Sequence, residues 1–139
     1  MFSKSNLLAT LVGTIVMFFL GYLIWGIATA DFFEEHSIIN VMKEVPDLGM
    51  IALANLIAVF ALSTLYGKWA RGHHSLSQGF QFGAWIGVFV GIGMGLLNYG
   101  TTEFMDLTGY MAEAVLDIIF YGILGAVIAF MYQKTAAKE

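Results

Sequence analysis

The chain has 139 residues, of which 59% are hydrophobic and 12% charged, and its mean hydropathy is +0.80. A water-soluble domain this small needs far more charge to stay dispersed, so this composition excludes one. The net charge of −4 argues against a nucleic acid partner, and the absence of cysteine excludes disulfides, thiolate metal sites and cysteine nucleophiles.

Four apolar segments are long enough to cross a bilayer, which takes about 20 residues. They cover residues 7–30, 48–66, 76–99 and 111–132. The first exceeds the roughly 7–15 apolar residues of a secretory signal, so we interpret it as a retained span. The sequence therefore predicts one all-α domain over residues 1–139, an integral membrane four-helix bundle with the bilayer as its partner.

The basic residues indicate the orientation, because Lys and Arg in short loops favour the cytoplasmic side. Lys4, Lys68, Arg71, Lys134 and Lys138 all fall on one side of the predicted bundle. The opposite side is acidic, with Lys43 as its only basic residue. We therefore expect both termini to be cytoplasmic.

The connections between spans carry their own signals. The segment 31–46 is long enough to hold a short interfacial helix, and Asp47 is a candidate N-cap for the second span. The link 68–75 is short, so the second and third spans should be antiparallel neighbours.

An internal repeat marks the ends of the first and third spans. Residues 29–34 and 101–106 both fit the pattern Thr-x-acid-Phe-apolar-acid, and each is followed by a span that ends near Tyr66 or Tyr132. The pattern favours two tandem helical hairpins related by a pseudo-twofold axis along the membrane normal. Chance similarity in apolar sequence is the alternative.

Glycine recurs every fourth residue along the third span, which places it on one face of a helix. The five positions are Gly79, Gly83, Gly87, Gly91 and Gly95. Small residues let helices approach closely in lipid, so this face should be a contact surface. The partner is either another span, with Gly122, Gly125, Gly13 and Gly21 as candidates, or a second copy of the chain.

Two acids lie within the fourth span. Glu113 and Asp117 are four residues apart on one helix face, and Tyr121 continues it. An acid in hydrocarbon costs roughly 2.5–3.5 kcal/mol, so such residues usually face the bundle interior. With Asn55 and Asn98 they form a predicted polar path suited to a proton relay; snorkelling to the interface is the alternative.

The outer acids are candidate ligands for a hard cation such as calcium or magnesium. They are Asp31, Glu34, Glu35, Glu103 and Asp106, with His36 beside them. A solvated acidic surface is the alternative, since neither motif has the ligand spacing of a known calcium loop.

No catalytic or cofactor motif is present. The histidines lie outside the predicted spans, which disfavours haem, and there is no nucleophile elbow, zinc helix motif or phosphate loop. We therefore predict no enzyme activity and no cofactor.

The sequence resembles a group of small bacterial four-span proteins classed as a domain of unknown function. The resemblance lies in residues 21–26, in the opening of the third span from Gly79 to Trp85, and in the final span from Asp117 through Gly122 to Gly125. It implies this fold and a bacterial inner membrane, but no activity. The long acidic first outer loop departs from that group.

Three functions fit these features. The acidic outer face and Asp117 favour a cation or proton-coupled channel or transporter that acts as an oligomer. An alternative is a noncatalytic accessory subunit of a larger membrane complex, docked through the glycine face. A binder of lipid or another apolar ligand would instead use Phe and Met side chains along the helices.

Overall fold

A computed structural model describes residues 2–135, and in that range the chain is all-helical. Lys138, one of the predicted cytoplasmic cations, lies outside the described residues. Four helices are long and apolar enough to span a membrane, which confirms the predicted four-helix architecture. The helices are α1 (Lys4–Ala28), α2 (Ala30–His36), α3 (Leu48–Ala70), α4 (Leu76–Thr101) and α5 (Leu107–Thr135).

Side-chain caps fix where the spans begin. The backbone N–H of Met50 donates to the Asp47 carboxylate over 3.1 Å, so the predicted cap of α3 is confirmed. Ser3 and Ser75 cap α1 and α4 in the same way. Short α2 occupies part of the loop in which we expected a helix.

The α3–α4 link reverses the chain within a few residues. Gly72 has a φ of 83°, a left-handed conformation that glycine adopts without strain. The two helices then meet close to the link, where the rings of Tyr66 and Trp69 pack against Phe82.

Helix α5 is the centre of the bundle. It packs along α4 and against α1, and it meets α3 towards the α3 C-terminus. The core formed by these helices contains Ala9, Val59, Leu124 and Ile128, each at most 1% exposed. The first spans of both hairpins thus flank the last span of the chain.

Helix α3 is packed along only part of its length. Residues 48–54 are exposed on every side, and the first buried residue of the helix is Val59. From there burial recurs at Ser63, Tyr66 and Ala70. The first two turns of α3 are therefore not packed into the core of the bundle.

Two spans contain π-helical segments. Residues Tyr22–Ala28 of α1 and Val88–Met94 of α4 have this wider turn, and each lies in the part of its span nearest α2 or the α4–α5 loop. π-Helical turns are rare and occur frequently at functional sites.

The two copies of the repeat motif have different local structures. Residues 29–34 fall at the start of α2, whereas residues 102–106 are a non-helical connection. The connection pairs with the end of α2 through an antiparallel bridge between Ser37 and Met105. The pseudo-twofold relation between the hairpins stays a prediction.

The chain ends lie together at one end of the bundle. The Thr135 hydroxyl donates to the Ser5 hydroxyl over 2.8 Å, and the Asn6 amide donates to the Thr64 hydroxyl over 3.0 Å. The two ends of the described chain therefore lie at the same end of the bundle.

Aromatic rings complete the same end of the bundle. The Tyr132 hydroxyl donates to the Ser63 carbonyl over 2.9 Å, and the Tyr66 and Tyr132 rings meet edge to face. The His74 ring packs against both tyrosine rings, and its Nδ1 lies 3.1 Å from the Tyr66 hydroxyl oxygen. Burial, and secondarily the charge of His73, lowers the pKa of His74, which favours a neutral ring that accepts this bond. We call Asn6, Ser63, Tyr66, His74 and Tyr132 the closed end.

Candidate functional site

Glycines bring α4 against the backbone of α5. A Cβ atom built on Gly79 would collide with the Gly125 carbonyl, and one on Gly83 would collide with the Tyr121 carbonyl. At Gly87 the nearest atom is the Ile118 Cα. The predicted glycine face therefore packs within the chain, and it is not free to form the oligomer or docking surface considered from sequence.

The other glycines contribute unequally. Gly125 faces the backbone of Gly79 and Gly83, as expected for a partner. A Cβ atom built on Gly95 would lie 3.8 Å from the Tyr110 ring, which is an ordinary contact distance. Gly13 faces Val59 and lets α1 approach α3, and Gly21 faces Phe120 and lets α1 approach α5. Gly122 accommodates the Phe80 ring.

Asp117 is buried where α4 and α5 meet. It is 6% exposed, and its Cβ lies 3.0 Å from the position that a Cβ on Gly91 would take. Gly91 belongs to the π-helical segment of α4. No cation pairs with Asp117 among residues 2–135, where the one ion pair joins His36 and Asp106. The carboxyl group thus lies inside the bundle, as predicted, beside the wide turn of α4.

Glu113 is held from the opposite side. The Trp25 indole N–H donates to Glu113 Oε2 over 2.9 Å, and the Trp25 ring packs edge to face on Phe120 at 5.0 Å. Trp25 belongs to the π-helical segment of α1. Trp25 is therefore a hydrogen-bond donor to an acid within the fourth span.

The two acids thus form a single arrangement, which we call the acid pair: Glu113 and Asp117, one helical turn apart on α5. Each contacts a π-helical segment of a different neighbouring span. Tyr121, one turn further along, is half-buried and packs against the bundle core. The carboxyl groups can bind a proton or a cation within a membrane span.

The asparagines of the predicted polar path are not joined to the acid pair. Asn98 is exposed, Asn55 is half-buried, and no hydrogen bond links either side chain to another residue within the described range. Asn98 is three residues beyond Gly95, at the end of α4 where contact with α5 is looser. Of the residues predicted for the path, Glu113, Asp117 and Tyr121 share one face of α5, and the path itself stays a prediction.

The outer acids do not converge. Asp31, Glu34, Glu35 and Glu103 are exposed, and among residues 2–135 no three His, Asp or Glu side chains are placed to hold a metal ion. The proposed convergence of the two motifs is therefore not observed. Asp106 accepts a hydrogen bond from His36 Nδ1 over 2.8 Å.

Asp106 also begins α5. The Gly109 N–H donates to the Asp106 carboxylate over 2.8 Å. The segment after α2 also pairs with the segment before α5: the Ile38 N–H donates to the Phe104 carbonyl, and the Asp106 N–H donates to the His36 carbonyl. The His36 bond first, then the Gly109 bond, hold the pKa of Asp106 below its ordinary value. We call His36 and Asp106 the loop latch. Their side chains join the end of α2 to the start of α5.

Sequence reasoning missed the closed end as well as the Trp25 contact. The sequence of α1 does contain a pattern that indicates the closed end. Asn6, Thr10 and Gly13 are spaced by four and three residues, which places them on one face of the helix. Polar and small residues at such spacing in an apolar span indicate a helix contact. All three are buried.

No protein-family model matches the chain, and neither a curated protein nor a solved structure matches it. The resemblance to bacterial four-span proteins therefore stays a prediction, and the function is argued from the residues of the chain itself.

Proposed function

We propose that this protein is a small transporter of the bacterial inner membrane that couples cation movement to protonation of the acid pair. The observation that carries the proposal is the position of Glu113 and Asp117. Two carboxyl groups one turn apart lie within a membrane span, and the described residues supply no cation to neutralise them. Ionisable groups inside spans are costly and typically mark ion or proton pathways.

The surroundings of the acid pair support this function. Both flanking spans, α1 and α4, have a π-helical segment beside it. A π-helical turn can revert to an α-helical one by a small change in hydrogen bonding, which rotates the residues beyond it. Such a rotation would move Trp25 or Gly91 relative to the carboxyl groups and so alter access to them.

The packing of α3 suggests the direction of access. At the closed end α3 is held by Ser63 and Tyr66, whereas its first two turns leave the bundle. The acid pair lies in the same half as those free turns, near α2. With the termini in the cytoplasm, as the basic residues favour, the opening faces outward, and the acidic outer loops attract cations to it.

The proposal is tested by flux measurements on the protein in liposomes. Gradients of sodium and potassium are imposed in turn, and a trapped pH-sensitive dye reports proton movement. Asp117→Asn keeps the shape of the side chain and removes its titration, so we expect at least a tenfold loss of cation-dependent proton flux. Glu113→Gln should reduce the flux as well.

A matched control is Glu103→Gln, which removes an exposed acid outside the helices. It should leave the flux close to that of the native chain. The transporter is ruled out when Asp117→Asn, correctly inserted and folded, moves protons as fast as the native protein, or when the native protein moves none under either gradient.

An accessory role is the second candidate, and the exposed first turns of α3 favour it. Leu48, Met50, Ile51 and Leu53 are each at least 40% exposed and would suit another membrane protein as well as lipid. Native mass spectrometry in mild detergent distinguishes the roles. A stoichiometric partner protein favours the accessory subunit, and a chain that occurs alone or with copies of itself favours the transporter.

A further inference from the structure

The segment between α2 and α3 is unusually apolar for an exposed loop. Its apolar side chains are each at least 50% exposed: Ile38, Ile39, Val41, Met42 and Val45. In water such a cluster would be unfavourable, at roughly 25 cal/mol for each Å² of apolar surface. The loop is therefore suited to contact with lipid.

The loop folds back along α3 and forms a groove with it. Val41 and Met42 line one wall, and Met50, Ile51 and Ala54 line the other, around a volume of about 440 Å³. Ala54 lies six residues into α3, so the groove extends about 9 Å along the helix from Leu48 at the usual rise of 1.5 Å per residue. Apolar walls therefore reach to the depth of the acyl chains.

One basic side chain lies on this groove. Lys43 lines it together with Pro46 and Asp47. The Asp47 carboxylate accepts the Met50 N–H as the helix cap, and no salt bridge to Lys43 is found within residues 2–135. Lys43 is also the only Lys or Arg between residues 5 and 67. Its ammonium group is thus available to an anion at the mouth of an apolar groove.

We propose that this groove binds a glycerophospholipid, with one acyl chain between the loop and α3 and the phosphodiester at Lys43. Apolar contact over the length of the groove and a single cation at the headgroup level match the two parts of such a lipid. This site is separate from the acid pair and does not depend on transport.

Native mass spectrometry of the full chain in mild detergent tests the site. Dioleoyl phosphatidylglycerol is titrated against the protein, in parallel with dioleoylglycerol, which has the same chains and no phosphate. We expect one phosphatidylglycerol to bind with higher affinity than dioleoylglycerol. Lys43→Gln should weaken phosphatidylglycerol binding about fivefold, since a basic residue near anionic lipid contributes on that scale. Lys43→Arg should preserve it.

Two control pairs separate the site from general lipid adhesion. Lys68→Gln removes a basic residue near the other end of α3 and should leave binding unchanged. Ile51→Asn places an amide in the groove and should weaken binding, whereas Leu53→Asn, on the same helix outside the groove, should not. Equal binding by the native chain and Lys43→Gln, equal binding of the two lipids, or equal effects of the two Asn variants would overturn the proposal.

Discussion

The two ends of the bundle differ in the burial and hydrogen bonding of their polar groups. At the closed end, Asn6 and Ser63 are buried and hydrogen-bonded, and aromatic rings lie over them. At the end near α2, the acid pair has one indole donor, and α3 does not cover it. Polar groups that are buried and bonded between helices stabilise one packing, whereas polar groups with fewer contacts leave the structure free to change. This difference is expected of a bundle that keeps one packing at the closed end and can change its packing around the acid pair.

The largest effect is expected where α4 and α5 are in backbone contact. Gly83→Leu would drive a side chain into the Tyr121 carbonyl, so the helices must separate. We expect a loss of at least about 3 kcal/mol of stability, measured by thermal unfolding in detergent. Gly100→Leu is the control, because nothing lies within 4 Å of a Cβ there. Similar melting temperatures for the two variants would contradict the backbone packing.

A smaller effect is expected from Trp25→Phe. The substitution retains an aromatic ring for Phe120 and removes the N–H that donates to Glu113. Glu113 is half-buried, so leaving its carboxyl group without this donor should lower stability by about 1 kcal/mol, the low end of the cost for a buried group. Repeating the substitution in Glu113→Leu, which removes the acceptor oxygens, tests the pair by a double-mutant cycle. Additive effects would show that the bond does not form.

Tyr132→Phe makes the corresponding change at the closed end. It removes the hydroxyl that donates to the Ser63 carbonyl and keeps the ring against Tyr66. The Ser63 carbonyl lies within a helix and keeps a backbone donor when the hydroxyl is removed, so the loss should be below that for Trp25→Phe. A larger loss than at Trp25 would reverse the comparison between the ends.

The smallest effect is expected at the loop latch. Because the pKa of Asp106 is lowered in the folded chain, its contribution is present above its unfolded pKa and is lost as the pH falls through the lower folded value. Hydrogen exchange at the Ile38 N–H, corrected for its intrinsic pH dependence, should therefore rise as the pH falls below the ordinary pKa of an aspartate, about 4. Asp106→Asn should abolish that step. A step of equal size in the variant would assign it to another acid.

Periodicity predicted the packing face but not its partner. A glycine every fourth residue places a smooth strip on α4 whatever lies opposite, so the strip from Gly79 to Gly95 could be predicted. Which helix covers it depends on the path of the whole chain. The structure assigns that role to α5.

The acid pair was predicted for a similar reason. A carboxyl group such as Asp117 must turn inward in lipid, whereas Asn98 at the end of a span can meet water, so only the first position was constrained by energy. The partner of Glu113 could not be found locally, because Trp25 is 88 residues away in sequence. The π-helical segments have no simple sequence signature, and they are the features that the sequence left undetected.

The central claim is that the half of the bundle containing the acid pair opens to water while the closed end excludes it. The chain has no native cysteine, so single cysteines can be labelled without background. Asn55→Cys lies between the free turns of α3 and its packed part, and Ser63→Cys lies at the closed end. In liposomes, a charged maleimide should modify position 55 from the side opposite the termini and leave position 63 unmodified from either side. Modification of position 63, or protection of position 55, would contradict the account.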